Sequence, residues 1–243
     1  MCVEVLKSKA EIEIARRELR RRGLSFISPW WKRLGNKSGV FKAIAVGDAS
    51  KSWDVLKTVH FIEKNVPPKA PILDLGAFAS EIPCILHYLH YSNLAGIDLN
   101  PDIEKMPYAD KVHYEVSDFI HTRFNPESFQ VITAISVIEH GFNSPLLFAE
   151  VSRLLQPGGY FVASFDYWPD KLDTSGISFF GMDWTIFSQN DVRQFLEEAN
   201  LHNLIPLGEV HLAGEEKPIE CAHKKYTFAW MVLQKSSRPQ TVP

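Results

Sequence analysis

Long apolar runs, paired cysteines and repeats are all scarce in this sequence. No apolar run approaches the roughly 18 residues that a membrane-spanning helix needs, so no membrane span is expected. Cys2, Cys84 and Cys221 are odd in number, far apart and without Cys-x-x-Cys spacing. A disulfide framework or a zinc site is therefore not expected, and this cysteine usage fits the reducing cytoplasm best.

Charge is unevenly distributed along the chain. The net charge is −3, yet residues 1–42 hold eleven lysines and arginines against four glutamates, a net +7, which leaves −10 for the rest. A basic segment on an acidic body is compatible with a nucleic acid, an anionic lipid surface or a phosphorylated substrate. Glutamates and arginines in residues 10–23 are spaced for pairing along a helix, which favours a solvated helix face over nucleic-acid binding.

Apolar periodicity predicts that helices and strands alternate along most of the chain. Helices are predicted over residues 9–22, 53–65, 81–90, 145–155 and 192–200, with Ser80 and Ser144 as N-caps and Ser188 and Asp191 as a capping box. Strands are predicted over residues 72–75, 94–97, 113–116, 131–138 and 160–165, with a late antiparallel pair at 204–212 and 226–233. This alternation predicts a doubly wound, mostly parallel sheet that binds ligands beyond the carboxyl ends of its strands.

The segment ILDLGAFAS, residues 72–80, passes from a strand through a tight turn into a helix. Gly76 permits positive φ and lets a ligand approach the backbone, while the free N–H groups of the following helix suit a carboxylate or a phosphate. Phe78 and Ser80 stand where nucleotide-binding turns usually have glycine. Their side chains hinder a bulky pyrophosphate most, so the turn favours a cofactor without phosphate over NAD.

Two aspartates follow the next two predicted strands. Asp98 lies 22 positions after Gly76, and its carboxylate only accepts hydrogen bonds, so it matches the two vicinal hydroxyls of a ribose. Asp118 can accept a hydrogen bond from the exocyclic amine of an adenine, and Phe119 can pack on its ring. For both aspartates the alternative is a capping or loop-closing role.

The ordered segments ILDLGAFAS, AGIDLN, VSDF, FQVITAISVIEHGF and LLQPGGYFVAS resemble class I S-adenosylmethionine-dependent methyltransferases of type 11. The resemblance covers about residues 53–235 and implies a seven-stranded Rossmann-like sheet with its last strand inserted antiparallel, and S-adenosylmethionine as cofactor. It predicts an N-terminal helical extension over residues 1–50, a methyltransferase domain over 51–235 and a flexible tail over 236–243. Cofactor contacts are expected at Asp74, Gly76, Ala77, Phe78, Asp98, Leu99, Asp118 and Phe119, with Ile135 and Ser136 beside the sulfonium.

Methyl transfer to a hydroxyl usually needs a general base, and Glu139 and His140 in VIEHG are the candidates. An alternative for both is that they shape the cofactor pocket, and no metal site is expected. The aromatic stretch at residues 178–188 either lines the acceptor pocket or packs in the core. We expect a methyltransferase that acts on a small molecule, such as a sugar or natural-product hydroxyl. An RNA or protein acceptor served by the basic segment, and a non-catalytic cofactor-binding partner subunit, remain open.

Overall fold

A computed structural model of the protein describes residues 3–29, 44–141 and 143–237. The predictions for Cys2, for the basic residues between 30 and 42, and for residues 238–243 of the tail lie outside these ranges. Within the described ranges, no helix combines the length and the apolar character needed to cross a bilayer.

Helices and strands alternate along the described chain. The helices are α1 (Lys9–Arg21), α2 (Ser52–Asn65), α3 (Ile82–Tyr88), α4 (Ser144–Leu154) and α5 (Gln189–Leu201). The strands are β1 (Val3–Val5), β2 (Ile72–Leu75), β3 (Leu94–Asp98), β4 (His113–Val116), β5 (Phe129–Ile135), β6 (Leu155–Tyr167), β7 (Ser178–Phe179), β8 (Met182–Asp183), β9 (Leu204–Pro206), β10 (Ile219–Cys221) and β11 (Lys224–Lys235).

The chain divides into two units of dense internal contacts. Residues Ile12–Phe119 form one, called the central unit here. The described residues before and after them form the other, called the flanking unit.

The sheet of the central unit is parallel. Strand β2 pairs with β3, from Ile72 opposite Leu94 to Leu75 opposite Ile97, and β3 pairs with β4. All four residues of β2 are buried, as expected for a strand covered on both faces. Helix α2 is fastened to the same unit by Tyr91, whose hydroxyl donates to the carbonyl oxygens of helix residue Ile62 and of Val66 that follows it.

The flanking unit combines parallel and antiparallel pairing. Strand β5 runs parallel to β6, while β11 is antiparallel to β6 from Thr227 opposite Tyr167 to Gln234 opposite Tyr160. On the other side of β11, β1 adds an antiparallel edge. The predicted late pair is confirmed, because β9 and β11 are antiparallel with Leu233 opposite Pro206.

Most predicted elements are confirmed, and several ends differ for local reasons. Strand β5 ends at Ile135 rather than at residue 138, because Ser136 adopts a positive φ of 54°. Helix α3 has Glu81 at its N-cap, while Ser80 lies one residue earlier and accepts a hydrogen bond from Ile82 N–H (3.2 Å). The N-cap of α4 is Asn143, so that Ser144 begins the helix.

The predicted capping box of α5 is present. Ser188 Oγ accepts from Asp191 N–H (3.2 Å), and the Asp191 carboxylate accepts from Ser188 N–H (2.8 Å). The two reciprocal bonds satisfy backbone N–H groups that have no carbonyl partner within the helix. Mostly parallel strands joined by helices confirm the predicted α/β class, while the boundaries at residues 50 and 235 stay a prediction.

Candidate functional site

In the central unit, the turn between β2 and α3 uses an unexpected residue for its left-handed backbone. Gly76 has a φ of 66°, and the second left-handed residue is Ala79, with a φ of 62°. Phe78 and Ser80 are not in that conformation, so neither position requires glycine for backbone reasons. The turn can therefore form without glycine at positions 78 and 80. The steric cost of a left-handed backbone is borne by Ala79 instead.

Asp98, at the end of β3, holds this turn. Its Oδ2 accepts from Phe78 N–H (3.1 Å) and its Oδ1 accepts from Asn100 N–H (2.8 Å). Ala77 N–H also donates to the Ile97 carbonyl (3.0 Å), which draws the start of the turn onto the same strand end. A carboxylate has about four acceptor positions, so the half-buried Asp98 retains capacity for ligand hydroxyls.

The turn can pack this closely because β3 carries a glycine opposite it. A Cβ on Gly96 would lie 2.7 Å from Ala77 Cβ and 2.9 Å from the Tyr114 ring. Sequence reasoning did not include Gly96 in the site, although a glycine inside a strand marks a close approach. The Gly96 position is thus part of the structural basis of the turn.

Beneath the turn lies a group of buried polar side chains. Tyr114 Oη is buried and has no hydrogen-bond partner within the described ranges, and burial first, then Cys84 and Asp74, raises the pKa of this phenol. Burial likewise raises the pKa of the Cys84 thiol to about 12, with Glu81 and Asp74 adding to it. Both groups are therefore neutral at physiological pH. Asp74 is buried as well.

The residues after β4 lie beside Asp98. Ser117 N–H donates to the backbone carbonyl of Asp98 (3.0 Å), which brings the predicted ribose and adenine positions to neighbouring strand ends. Asp118 is exposed and Phe119 is half-buried, so both remain accessible to a ligand. Leu99 is also exposed, next to Asp98 in the chain.

In the flanking unit, Ser136 follows the end of β5 in a left-handed conformation. Its N–H is directed at Ser164, with the carbonyl oxygen at 2.9 Å and the side-chain Oγ at 3.2 Å. The Oγ of Ser136 itself is buried and makes no hydrogen bond to any residue that the structure describes. Ile135, just before it, is half-buried.

The two candidate bases lie against a short hairpin formed by β7 and β8. Glu139 is 2% exposed, and its carbonyl accepts from Thr185 N–H (2.8 Å). The half-buried His140 packs its ring edge-to-face against Phe179 (5.9 Å between centroids) and Phe180 (5.7 Å). Gly141 N–H donates to the Asp183 carbonyl (2.7 Å), which fixes the hairpin to the loop that carries both bases.

The aromatic stretch at residues 178–188 divides between core and surface. Trp184 is buried, donates its indole N–H to Asp166 Oδ2 (2.7 Å) and packs against the Tyr226 ring (5.5 Å). Burial and then the Asp166 charge raise the pKa of Tyr226, so its phenol stays neutral. At the tip of the hairpin, Phe180 is 86% exposed, and both Phe180 and Gly181 have positive φ.

The predicted site residues thus fall into two groups. The central unit holds Asp74, Gly76, Ala77, Phe78, Asp98, Leu99, Asp118 and Phe119, and the flanking unit holds Ile135, Ser136, Glu139 and His140. Prediction missed Ala79 and Met106, whose Sδ accepts from Ala79 N–H (3.2 Å), because no sequence signal marks either residue. Among the described residues, no group of three or more His, Cys, Asp or Glu side chains is arranged to hold a metal ion.

Comparison with known proteins identifies a domain within the chain. Residues 73–163 match the family described as the methyltransferase domain. No curated protein sequence matches the chain.

Solved structures share the fold at low sequence identity. A protein assigned as a sarcosine dimethylglycine methyltransferase from Galdieria sulphuraria superposes with a TM-score of 0.58 at 15% identity, over 85% of this chain and 98% of the other. Geranyl diphosphate C-methyltransferase from Streptomyces coelicolor A3(2), in complex with S-adenosyl-L-homocysteine, gives 0.56 at 16% identity, over 94% and 98%. An S-adenosylmethionine-dependent methyltransferase from Mesorhizobium loti gives 0.53 at 17%, over 76% and 97%.

The mostly parallel α/β sheet and the matched domain define the class of this protein. It is an S-adenosylmethionine-dependent methyltransferase, and its Rossmann-like fold is consistent with class I of these enzymes. Its cofactor is S-adenosylmethionine, as predicted from the sequence.

Proposed function

We propose that this methyltransferase acts on a hydroxyl group of a small molecule, such as a sugar or a natural product, with His140 as the general base. The main support is the position of His140, a half-buried residue on a loop fixed to an aromatic hairpin, with its ring edge-to-face against Phe179 and Phe180. A histidine is suited to remove a hydroxyl proton near neutral pH.

The central unit supplies groups that fit the proposed cofactor. Asp98 keeps acceptor positions for the ribose hydroxyls, while Asp118 and Phe119 are accessible for the adenine. Gly76 has no side chain, so a ligand can approach the backbone at the turn. Asp74 lies two residues before Gly76 in the sequence, and we assign its carboxylate to the ammonium group of the methionine part. When bound, S-adenosylmethionine supplies an already activated methyl group, so that orientation by these residues is their main contribution.

The flanking unit supplies groups that suit an acceptor. Phe180 presents an exposed ring at a two-residue turn in which both residues have positive φ, and aromatic faces pack well on sugars and other flat molecules. Glu139 is deeply buried, so we assign it to shaping the loop around His140 rather than to proton removal. Ser136 and Ile135 are kept as cofactor contacts, and the buried Oγ of Ser136 is a polar atom with hydrogen-bonding capacity to spare.

A macromolecular acceptor is the weaker candidate. Much of the described basic segment is already neutralised, since Arg16 pairs with Glu81, Arg21 with Glu18 and Arg22 with Glu63. Phosphate binding would have to compete with these ion pairs. Two of the compared structures are named for small molecules, sarcosine dimethylglycine and geranyl diphosphate, which also supports a small acceptor.

The domain boundaries and the compartment remain proposals too. We keep residues 1–50 as an N-terminal extension, 51–235 as the methyltransferase domain and 236–243 as a tail. Cys84 and Cys221 are free thiols, which supports a cytoplasmic location because that compartment keeps thiols reduced.

Transfer of labelled methyl groups tests the acceptor. Wild-type protein is supplied with labelled S-adenosylmethionine and three separate acceptor pools: small hydroxyl compounds, total RNA and protein. We expect product only in the first pool, and His140→Gln should remove it while S-adenosylhomocysteine binding is retained. The same substitution at exposed His211 serves as control. Product in the RNA or protein pool alone would refute the small acceptor.

A further inference from the structure

Glu81, directly after the turn, is buried and fully engaged in the central unit. The residue is 3% exposed and occupies the N-cap of α3, although its side chain makes no cap bond to the helix. Its Oε1 accepts from Phe26 N–H (2.9 Å), and its Oε2 accepts from a guanidinium N–H of Arg16 (3.1 Å). The side chain therefore faces the N-terminal segment instead of its own helix.

Arg16 joins several parts of that segment to Glu81. It is 6% exposed, although it belongs to the most basic stretch of the sequence. Besides Glu81, its guanidinium donates to Ser52 Oγ (2.8 Å) and to Ser25 Oγ (2.9 Å). A guanidinium offers five donors in a fixed planar fork, so one side chain fixes α1, α2 and the residues after α1 relative to Glu81.

Gly47 makes a second contact between the N-terminal segment and the turn. Its N–H donates to the carbonyl of Ala79, inside the turn (2.8 Å). A Cβ at Gly47 would lie 2.6 Å from Glu81 Cγ and 2.8 Å from Ile27 Cγ1, and the residue has a φ of 78°. Only glycine fits here, so this backbone is in direct contact with both the turn and Glu81.

The two segments that hold the turn also hold each other. Ser28 N–H donates to the Val46 carbonyl (2.9 Å), and Val46 N–H donates back to Ser28 Oγ (3.0 Å). Residues 25–28 and 46–48 are therefore hydrogen-bonded to each other as well as to Arg16, Glu81 and the turn.

We infer that Arg16 and Glu81 are positioning residues for the cofactor, which act through the turn between Gly76 and Ser80. The turn is held from one side by Asp98 at Phe78 N–H and from the other by Gly47 at the Ala79 carbonyl. The Arg16–Glu81 pair fixes the second of these supports. This inference rests on the proposed cofactor contacts of the turn.

Stability alone does not account well for such a pair. A buried ion pair pays a desolvation cost, and apolar residues of similar volume often replace it without loss of stability. A fixed carboxylate that also accepts the Phe26 N–H restricts where the turn can lie. Pre-organisation of this kind raises affinity for a ligand because less is lost on ordering the site.

Binding measurements on matched variants test the inference. Glu81→Gln leaves Arg16 without its counter-charge, and the double variant Arg16→Met with Glu81→Leu replaces the pair by apolar side chains. Glu63→Gln is the control, since it removes the ion-pair partner of Arg22, the residue that directly follows α1. Each variant is examined by calorimetry with S-adenosylhomocysteine, by thermal unfolding, and by hydrogen exchange of residues 76–81 without ligand.

We expect Glu81→Gln and the double variant to bind S-adenosylhomocysteine about tenfold or more weakly, with faster exchange in the turn. The double variant should keep a thermal midpoint close to wild type, and Glu63→Gln should keep wild-type affinity. Wild-type affinity in the double variant would overturn the inference, because the pair would then serve only stability. Asp98→Ala, measured in parallel, separates the two levels: if it too binds normally, the proposed cofactor site itself is wrong.

Discussion

The backbone N–H of Phe78 donates to Oδ2 of Asp98 at 3.1 Å, and this bond ties the turn after β2 to the end of β3. One carboxylate thus serves two purposes, since it orders the turn and still has acceptor positions for a ribose. The bond uses the main chain of Phe78, so the identity of its side chain does not disturb it. This explains how a bulky residue is accommodated where related turns have glycine.

Replacing Asp98 tests both of its purposes. We expect Asp98→Ala to weaken S-adenosylhomocysteine binding by about 1.5–3 kcal/mol, the usual worth of hydrogen bonds to a charged group, while the fold is retained. Calorimetry gives the affinity and circular dichroism gives the fold. Asp102→Ala is a matched control, because Asp102 is exposed on the surface four residues later. Equal affinities of Asp98→Ala and wild type would contradict the assignment.

Backbone strain at Ala79 predicts a stabilising substitution. A left-handed conformation at a non-glycine residue costs about 1–2 kcal/mol, whereas glycine adopts it freely at an entropic cost of about 0.5–1 kcal/mol. Ala79→Gly should therefore stabilise the protein by about 0.5–1 kcal/mol in urea unfolding. Ala77→Gly, where φ is not positive and the methyl group is buried, should destabilise it. A destabilised Ala79→Gly variant would show that the strain is absent.

The exposed ring at the tip of the hairpin predicts a selective effect on the acceptor. Phe180→Ala should leave the thermal midpoint and S-adenosylhomocysteine affinity unchanged, because the side chain contributes little to the core. Its KM for the acceptor should rise severalfold, since a packing surface beside His140 is removed. Leu201→Ala, another exposed apolar residue, should change neither quantity. An unchanged KM would exclude Phe180 from acceptor binding.

Acid sensitivity is predicted from Glu150. Burial raises the pKa of this carboxyl, but hydrogen bonds from Arg153 and Thr122 outweigh burial, and the net pKa is lowered. Its contribution to stability is therefore complete above the ordinary value of 4.5 and is lost as the pH falls through the lowered folded-state pKa.

Glu150→Gln should accordingly lower the free energy of unfolding by about 1–3 kcal/mol at pH 7. The difference from wild type should shrink below pH 4.5, and denaturant unfolding at several pH values measures it. Glu13→Gln, at an exposed position on α1, should show no such difference. A constant Glu150→Gln deficit down to pH 2 would contradict the prediction.

The sequence predicted the buried strands well because their signal is local. The buried strand β2 has the predicted ends, since a short apolar run bounded by turn residues leaves little freedom. The more exposed β4 also begins and ends at the predicted residues. The hairpin of β7 and β8 was missed, because two-residue strands carry no periodicity and depend on Gly141 and His140 packed beside them. β1 was missed for a similar reason, as its partner lies at the far end of the chain.

Sequence alone predicted the residues of the candidate site that stand directly after strands, but not the residues that reach the site through long-range contacts. Asp98 and Gly76 could be chosen from their places after strands, and the class of the protein followed from the order of such segments. Arg16 looked like one of many surface arginines, because nothing in its own segment indicates that Glu81 lies opposite it. Contacts across 65 residues of sequence leave no periodic signal, so only the folded structure reveals them.

The pairing of β1 with β11 has a consequence for how the chain is made. Leu6 exchanges hydrogen bonds with Phe228 and Thr227, more than 220 residues further along. Strand β1 therefore has no sheet partner during synthesis until the residues of β11 have been made. An N-terminal truncation intended to remove the basic segment would also strip an edge from β11 and leave its backbone groups open to association with other molecules.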